Sequence, residues 1–220
     1  MKPSTQNRPF LFSLALFALI AFVLMAFDNV PALKKVSIKG GKISLDIPKN
    51  FYEMGNDEIV AKYYTQKRPT AVFTDPAKKV DIGVNISETP WGEEDVELLK
   101  DIFKNSVVKS YDYVKFLRED ITIINGRKGV VLEFLGQINQ DPNAIVKRGA
   151  KSRYHCIFYT VSDYRIISYN FNCVGTDYKM WQETAQACMQ TLKVSGKIRD
   201  EVIEEDPTKD NTLQTGGGSR

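Results

Sequence analysis

Asn125-Gly126 stands between two runs rich in β-branched and aromatic residues, "DYVKFLREDITII" and "RKGVVLEFLG". The type I′ two-residue turn that joins two strands needs positive φ at both positions, and Asn-Gly is the pair that adopts it most readily. The pair therefore commits this part of the chain to an antiparallel hairpin. Further strands surround it. "SRYHCIFYTV" and "YRIISYNFNC" flank Ser162-Asp163 as a second hairpin. Upstream, "KISLDI" alternates Ile43, Leu45 and Ile47 with polar residues and stops at Pro48 and Asn50. "EIVAKYYTQ", "TAVFT" and "KVDIGVNIS" read as strands too. The last puts Val80, Ile82, Val84 and Ile86 on one face and Asp81, Gly83 and Asn85 on the other. The period changes once in the middle: Val96, Leu99, Phe103 and Val107 recur at helical spacing. Glu93, Glu94, Asp95 and Glu97 lie at that helix's amino end, where its dipole favours negative charge.

The carboxy-terminal part pairs a strand with a helix. Ile167, Tyr169, Phe171 and Cys173 share one strand face, with Ser168, Asn170 and Asn172 on the other. After Gly175, the residues Trp181, Ala185, Cys188 and Leu192 form a single apolar helical stripe. This stripe is expected to cover the aromatic face of the strand. A turn at Ser162-Asp163 places Cys156 opposite Tyr169 and Cys173 near Ser152, so a Cys156–Cys173 bond is disfavoured. Cys173 and Cys188 point into the same layer, and a disulfide between them is the expectation. Its loop of about fifteen residues would be worth about 3 kcal/mol. Two reduced core cysteines are the alternative. Cys156, the odd one of three cysteines, is expected to be a buried free thiol.

The two ends differ from this middle. Residues 1–32 open with Lys2 and Arg8 and then run without a charge from residue 9 to residue 27. This reads as an export signal, or as a single-span anchor that would tether the chain to a membrane. Both readings stay open, and either places the rest of the protein outside the cytoplasm, in a periplasmic or extracytoplasmic space that permits disulfides. A core helix fits less well, because the segment is apolar all round. Residues 197–220 are charged, then polar, then glycine-rich, and read as a disordered tail. Residues 33–196 then form one α+β domain. Its expected architecture is an antiparallel sheet of about six to eight strands flanked by two or three helices, preceded by the apolar N-terminal helix.

This order resembles the PsbP/DcrB-like (Mog/PsbP-type) superfamily over about residues 35–195. The resemblance rests on "LDIPKNF", a strand entering a Pro-x-x-aromatic turn (Pro48, Phe51), and on the closing "ISYNFNC…WQETAQACMQTLKV". It implies a PsbP-like sandwich and a protein without catalytic activity. Members serve as extrinsic photosystem subunits, binding adaptors, secretion-system chaperones and envelope proteins. No shared site motif can be carried onto this sequence.

The residues themselves offer little chemistry. His155 is the only histidine, and its strand neighbour Cys156 points to the opposite face, so the two do not form a nucleophile–base pair. With no C-x-x-C and no second histidine, a zinc ligand set is absent, and no glycine-rich phosphate loop occurs. No catalytic, cofactor or metal residue is assigned. The net charge of +3 is spread among interspersed acids and bases, which excludes a nucleic-acid footprint. Six residues are candidate partner contacts: Arg68 and Trp91 on loops, and Lys147, Arg148, Lys151 and Arg153 in "KRGAKSR". For each the competing reading is bland: a solvated strand start for the basic run, packing against the adjoining helix for Trp91. The expectation is an exported binding or assembly module with a protein partner in the cell envelope. The alternatives are a carrier or chaperone for an apolar ligand or peptide, and a hydrolase with an atypical site.

Overall fold

The computed structural model of the protein describes residues 30–63, 68–139, 151–196 and 198. Among the described residues, ten strands and three helices follow one another as β1 (Leu33–Ile38), β2 (Ile43–Pro48), β3 (Tyr52–Glu53), α1 (Asn56–Lys62), β4 (Ala71–Thr74), β5 (Asp81–Pro90), α2 (Val96–Ser110), β6 (Tyr113–Ile124), β7 (Arg127–Ile138), β8 (Lys151–Ser162), β9 (Arg165–Val174), α3 (Tyr178–Gln190) and β10 (Lys193–Val194). Seven strands form one sheet in the order β3-β4-β5-β9-β8-β7-β6, and β1-β2-β10 form a smaller one. Every pairing is antiparallel. The class expected from the sequence is the class observed. The apolar N-terminal helix, with the signal or anchor reading of residues 9–27, lies outside the described residues. Among the described residues no helix is long and apolar enough to cross a membrane.

The large sheet has two covered faces. One carries Ile82, Val84, Ile167, Tyr169, Phe171, Tyr154, Cys156, Phe158 and Val131, and packs against β2 and α3 as the main core. The tyrosine hydroxyl of Tyr169, fully buried, donates to the Ala185 carbonyl at 2.8 Å and ties α3 to the sheet. So α3 does lie over the aromatic side of β9. Asn125 and Gly126 turn with φ of 47° and 80°, the hairpin their sequence demands. The same Asn125 amide donates to the carbonyls of Gln190 and Leu192 at 2.9 Å, satisfying groups that the end of α3 leaves open.

Three expectations need correction. Residues 58–62 of "EIVAKYYTQ" are helical, within α1, and not a strand. Ile59 and Tyr63 are four apart, which suits a helix face as well as the alternation suits a strand, and Glu58 accepts from the Gly55 N–H at 3.2 Å to cap the start. The second hairpin turns at Asp163-Tyr164, both with positive φ (53° and 59°), one residue later than expected. Cys156 therefore faces Phe171, and Cys173 faces Tyr154. The faces survive this shift, because both pairings keep the same parity.

The Cys173–Cys188 disulfide is not formed; all three cysteines are buried free thiols. Sharing a layer was not enough. Cys173, next to last in β9, lies near the start of α3, and ten residues of helix carry Cys188 about 15 Å further along. Cys188 sits near Cys156 instead, whose thiol contacts the Met189 sulfur at 3.8 Å. Burial pushes the Cys173 and Cys188 thiols up to about 12. Of the segment 197–220, read as a polar tail, Ile198 is described and is buried in the main core; the rest lies outside the described residues.

Candidate functional site

The opposite face of the large sheet is covered in two unequal parts. Helix α2 packs Val96, Leu99 and Val107 on Val130, Leu132, Phe134, Ile157, Val161 and Ile166, over β6 to β9. The short α1 packs Ile59 on Val72 and Met54 at the β3–β4 edge. Between them runs a trough whose floor is β5 and β9. Alternation puts Asp81, Gly83 and Asn85 and also Ser168, Asn170 and Asn172 on this face, and the register sets them side by side: Asn85 with Ser168, Gly83 with Asn170, Asp81 with Asn172.

At its open end the trough is a groove of about 350 Å³. One wall is apolar: Trp91, Leu99, Ile102 and Phe103, with Tyr159 stacked on Phe103 at 3.8 Å between ring centroids. Ile102 is 40% exposed and Leu98, one turn before it, 53%. The floor is polar: Asn85, Ser87 and Ser168. Among the described residues, the side chains of Asn85 and Ser168 make no hydrogen bond, although both are half-buried. Free donors and acceptors beside an aromatic wall are the usual make-up of a recognition surface.

The other end of the trough is closed by bonded polar groups. Asp81, 1% exposed, pairs with Lys62 at 2.7 Å and accepts from the Tyr63 hydroxyl at 3.0 Å. Arg153 donates to the Asn172 amide oxygen at 2.5 Å. His155 stands between Tyr111, whose hydroxyl is 2.8 Å from Nε2, and Asn170, whose amide oxygen is 3.4 Å from Nδ1. Burial foremost, with Arg153 adding to it, lowers the His155 pKa from 6.5 to about 4. The ring is neutral at pH 7, with Nε2 accepting from Tyr111 and Nδ1–H donating to Asn170. Cys156 points into the main core on the far side of the sheet, as alternation requires.

This assignment has a measurable consequence. A folded value below the unfolded one means that the unfolded chain takes up more protons between about pH 6.5 and pH 4. His155 should therefore contribute about 2–3 kcal/mol above that window and lose it as the pH falls through it. Urea unfolding at pH 7, 5.5 and 4 should give a steeper decline for the wild type than for His155→Gln. Parallel declines would show that His155 titrates alike in both states.

The residues singled out from the sequence do not form one patch. Trp91 packs on Leu99 and Ile166 and lines the groove, so the packing and surface readings both describe it. Arg68 is exposed and lines a separate cleft beyond β5. Lys151 is exposed at the start of β8, while Arg153 is held within the trough. Lys147 and Arg148 lie outside the described residues. The acids at the amino end of α2 cap and tether it: Asp95 accepts from the Gly92 N–H at 3.0 Å, Glu93 pairs with Arg127 at 2.9 Å and Glu97 with Lys128 at 2.6 Å. Among the described residues no cluster of three His, Cys, Asp or Glu could hold a metal. Asn85, Ile102, Tyr159 and Ser168 were not singled out. The signal that finds them is the polar half of two alternating strands, once those strands are known to be neighbours.

In sequence, no family model and no curated protein matches this chain. Solved structures do match. The solution structure of cyanobacterial PsbP (CyanoP) from Synechocystis superposes with a TM-score of 0.50 at 13% identity, covering 77% of this chain and 96% of that one. The cell-envelope biogenesis protein LpqN of Mycobacterium tuberculosis gives 0.47 at 10% identity, covering 74% and 92%. The Ran-binding protein Mog1p of Saccharomyces cerevisiae gives 0.43 at 12%, covering 74% and 96%. At such identities the likeness is one of fold, and the PsbP-like architecture implied by the sequence resemblance is the architecture found.

Proposed function

We propose that this PsbP-fold chain is a non-catalytic binding and assembly module that acts outside the cytoplasm and takes an extended segment of a protein partner into the trough between α1 and α2. The observation that carries the reading is the pair Asn85 and Ser168, unbonded and facing one another below the Trp91, Ile102 and Phe103 wall. A peptide lying there would meet hydrogen-bonding groups on the floor and bury apolar side chains against the wall, where aromatic anchors concentrate binding energy. The extracytoplasmic location rests on the apolar run of residues 9–27, whether removed or kept as an anchor. The non-catalytic part rests on His155, whose two nitrogens are engaged by Tyr111 and Asn170.

A photo-crosslinking residue at position 85 should capture a partner from the native envelope. The same residue at Met180, 64% exposed on α3, should not. Ile102→Glu should abolish the capture at position 85, weakening binding at least about tenfold, while stability changes by no more than about 0.5 kcal/mol. Equal labelling from positions 85 and 180, or capture indifferent to Ile102→Glu, would remove the trough from consideration. A small apolar adduct at position 85 in place of a protein would favour the carrier reading.

A further inference from the structure

We infer that the cleft where the β1–β2 turn, the approach to β4, the outer part of β5 and the start of β9 converge is a binding site for an oxyanion of the phosphate type. The cleft holds about 220 Å³ and is lined by Lys39, Arg68, Thr70, Asn85, Glu88 and Arg165. Two guanidiniums from distant parts of the sequence, Arg68 and Arg165, thus share the lining with one carboxylate, Glu88. Elsewhere among the described residues, Lys62, Lys78, Lys104, Arg118, Arg127 and Lys128 each pair with a carboxylate. Among the described residues, no carboxylate pairs with Arg68 or Arg165. Converging like charges repel, and a bound anion removes that penalty.

The residue types narrow the ligand. A guanidinium is a planar fork that binds two oxygens at once. A carboxylate offers its two oxygens to one such fork, whereas a phosphate group can serve two forks and still accept from an ammonium or amide. The Thr70 hydroxyl oxygen accepts from the Ile86 N–H at 3.2 Å, which leaves its own proton free to donate, and Asn85 adds an amide. The oxyanion can be free phosphate or the headgroup of an anionic lipid, both of which present anionic, unesterified oxygens on a tetrahedral phosphorus.

The test titrates inorganic phosphate into the full-length chain at constant ionic strength, following the arginine Nε–H and the Ile86 N–H by NMR. Saturable shifts at Arg68, Arg165 and Ile86 are expected in the millimolar range. Arg68→Gln and Arg165→Gln should each weaken binding about tenfold. Glu88→Gln should tighten it, and Arg127→Gln, at a paired arginine elsewhere, should leave it unchanged. Because Arg68 is exposed, its variant carries the test if the half-buried Arg165 proves necessary for folding. Should phosphate leave these signals unmoved while phosphatidylglycerol vesicles bind the wild type more tightly than Arg68→Gln, the source is a lipid headgroup and the assignment stands. Unmoved signals with phosphate, together with equal vesicle binding by both proteins, would overturn it.

Discussion

Phe171→Ala is expected to lower the unfolding free energy by about 3–5 kcal/mol, the range for emptying a large aromatic site in a packed core. Phe171 is fully buried in the middle of a chain of rings. Phe51 meets Trp181 at 5.9 Å, Trp181 meets Phe171 at 6.0 Å, Phe171 meets Tyr154 at 6.4 Å, and Tyr154 meets Tyr178 at 5.9 Å between centroids. These five rings come from the turn after β2, from β9 and β8, and from both ends of the first turn of α3. Removing the central one leaves a void that three elements border, and packed elements relax only partly into such a space. Phe171→Leu keeps much of the volume and should lose about 1–2 kcal/mol. A double-mutant cycle with Trp181→Leu should return a coupling of about 0.5–1.5 kcal/mol, the part owed to ring geometry. Urea denaturation measures all three quantities. A loss below about 1 kcal/mol for Phe171→Ala would mean that α3 is not seated on this face as described.

The packing of that face is legible in the sequence because it follows from short-range rules. Asn125-Gly126 can do little but turn, and Ile167, Tyr169, Phe171 and Cys173 must share a face whatever their partners are. Register is less legible. The turn at Asp163-Tyr164 places a tyrosine at positive φ, a conformation that no propensity rule would assign to it, and tertiary pairing of β8 with β9 overrides the preference. Axial position is not legible at all. The stripe Trp181, Ala185, Cys188 tells which way α3 faces but not how far along the sheet each residue falls, and the expected disulfide failed on that distance. The trough was hidden for a related reason. Ser168, Asn170 and Asn172 read as the solvated side of β9 until its neighbour is known to be β5, with Asn85 and Gly83 alongside, and until α1 and α2 are seen to stop short of them. Strand order in a sheet of seven is a long-range property, and a strand's own residues do not encode its neighbours.

Leucine at both Gln182 and Gln186 is expected to destabilise the protein by about 3–5 kcal/mol, although each substitution adds apolar character to a helix that covers a core. The reason is Glu133. Its neighbours along β7 are apolar, and it is only 1% exposed, on the face that α3 covers. The carboxylate accepts from Gln182 Nε2, from Gln186 Nε2 at 2.8 Å and from the Tyr154 hydroxyl at 3.1 Å. Gln182 and Gln186 lie four residues apart, so one helical face delivers both amides. Arg118, opposite Glu133 on β6, directs its guanidinium to Asp120 at 3.0 Å. With both amides gone, a buried carboxylate keeps a single donor, and a charge so left costs far more than a missing contact. Replacing the whole group, as Glu133→Leu, Tyr154→Phe, Gln182→Leu and Gln186→Leu together, should restore stability to within about 1 kcal/mol of the wild type, since no charge is then stranded. The comparison separates two roles. If the quadruple variant regains stability but shows a broadened amide spectrum around α3, the polar group serves to fix which turn of the helix meets β7, because apolar surfaces slide past one another more readily than paired amides do. A quadruple variant as unstable as the double one would instead make the loss a matter of packing volume, and Glu133 would have no part in holding α3 in its register.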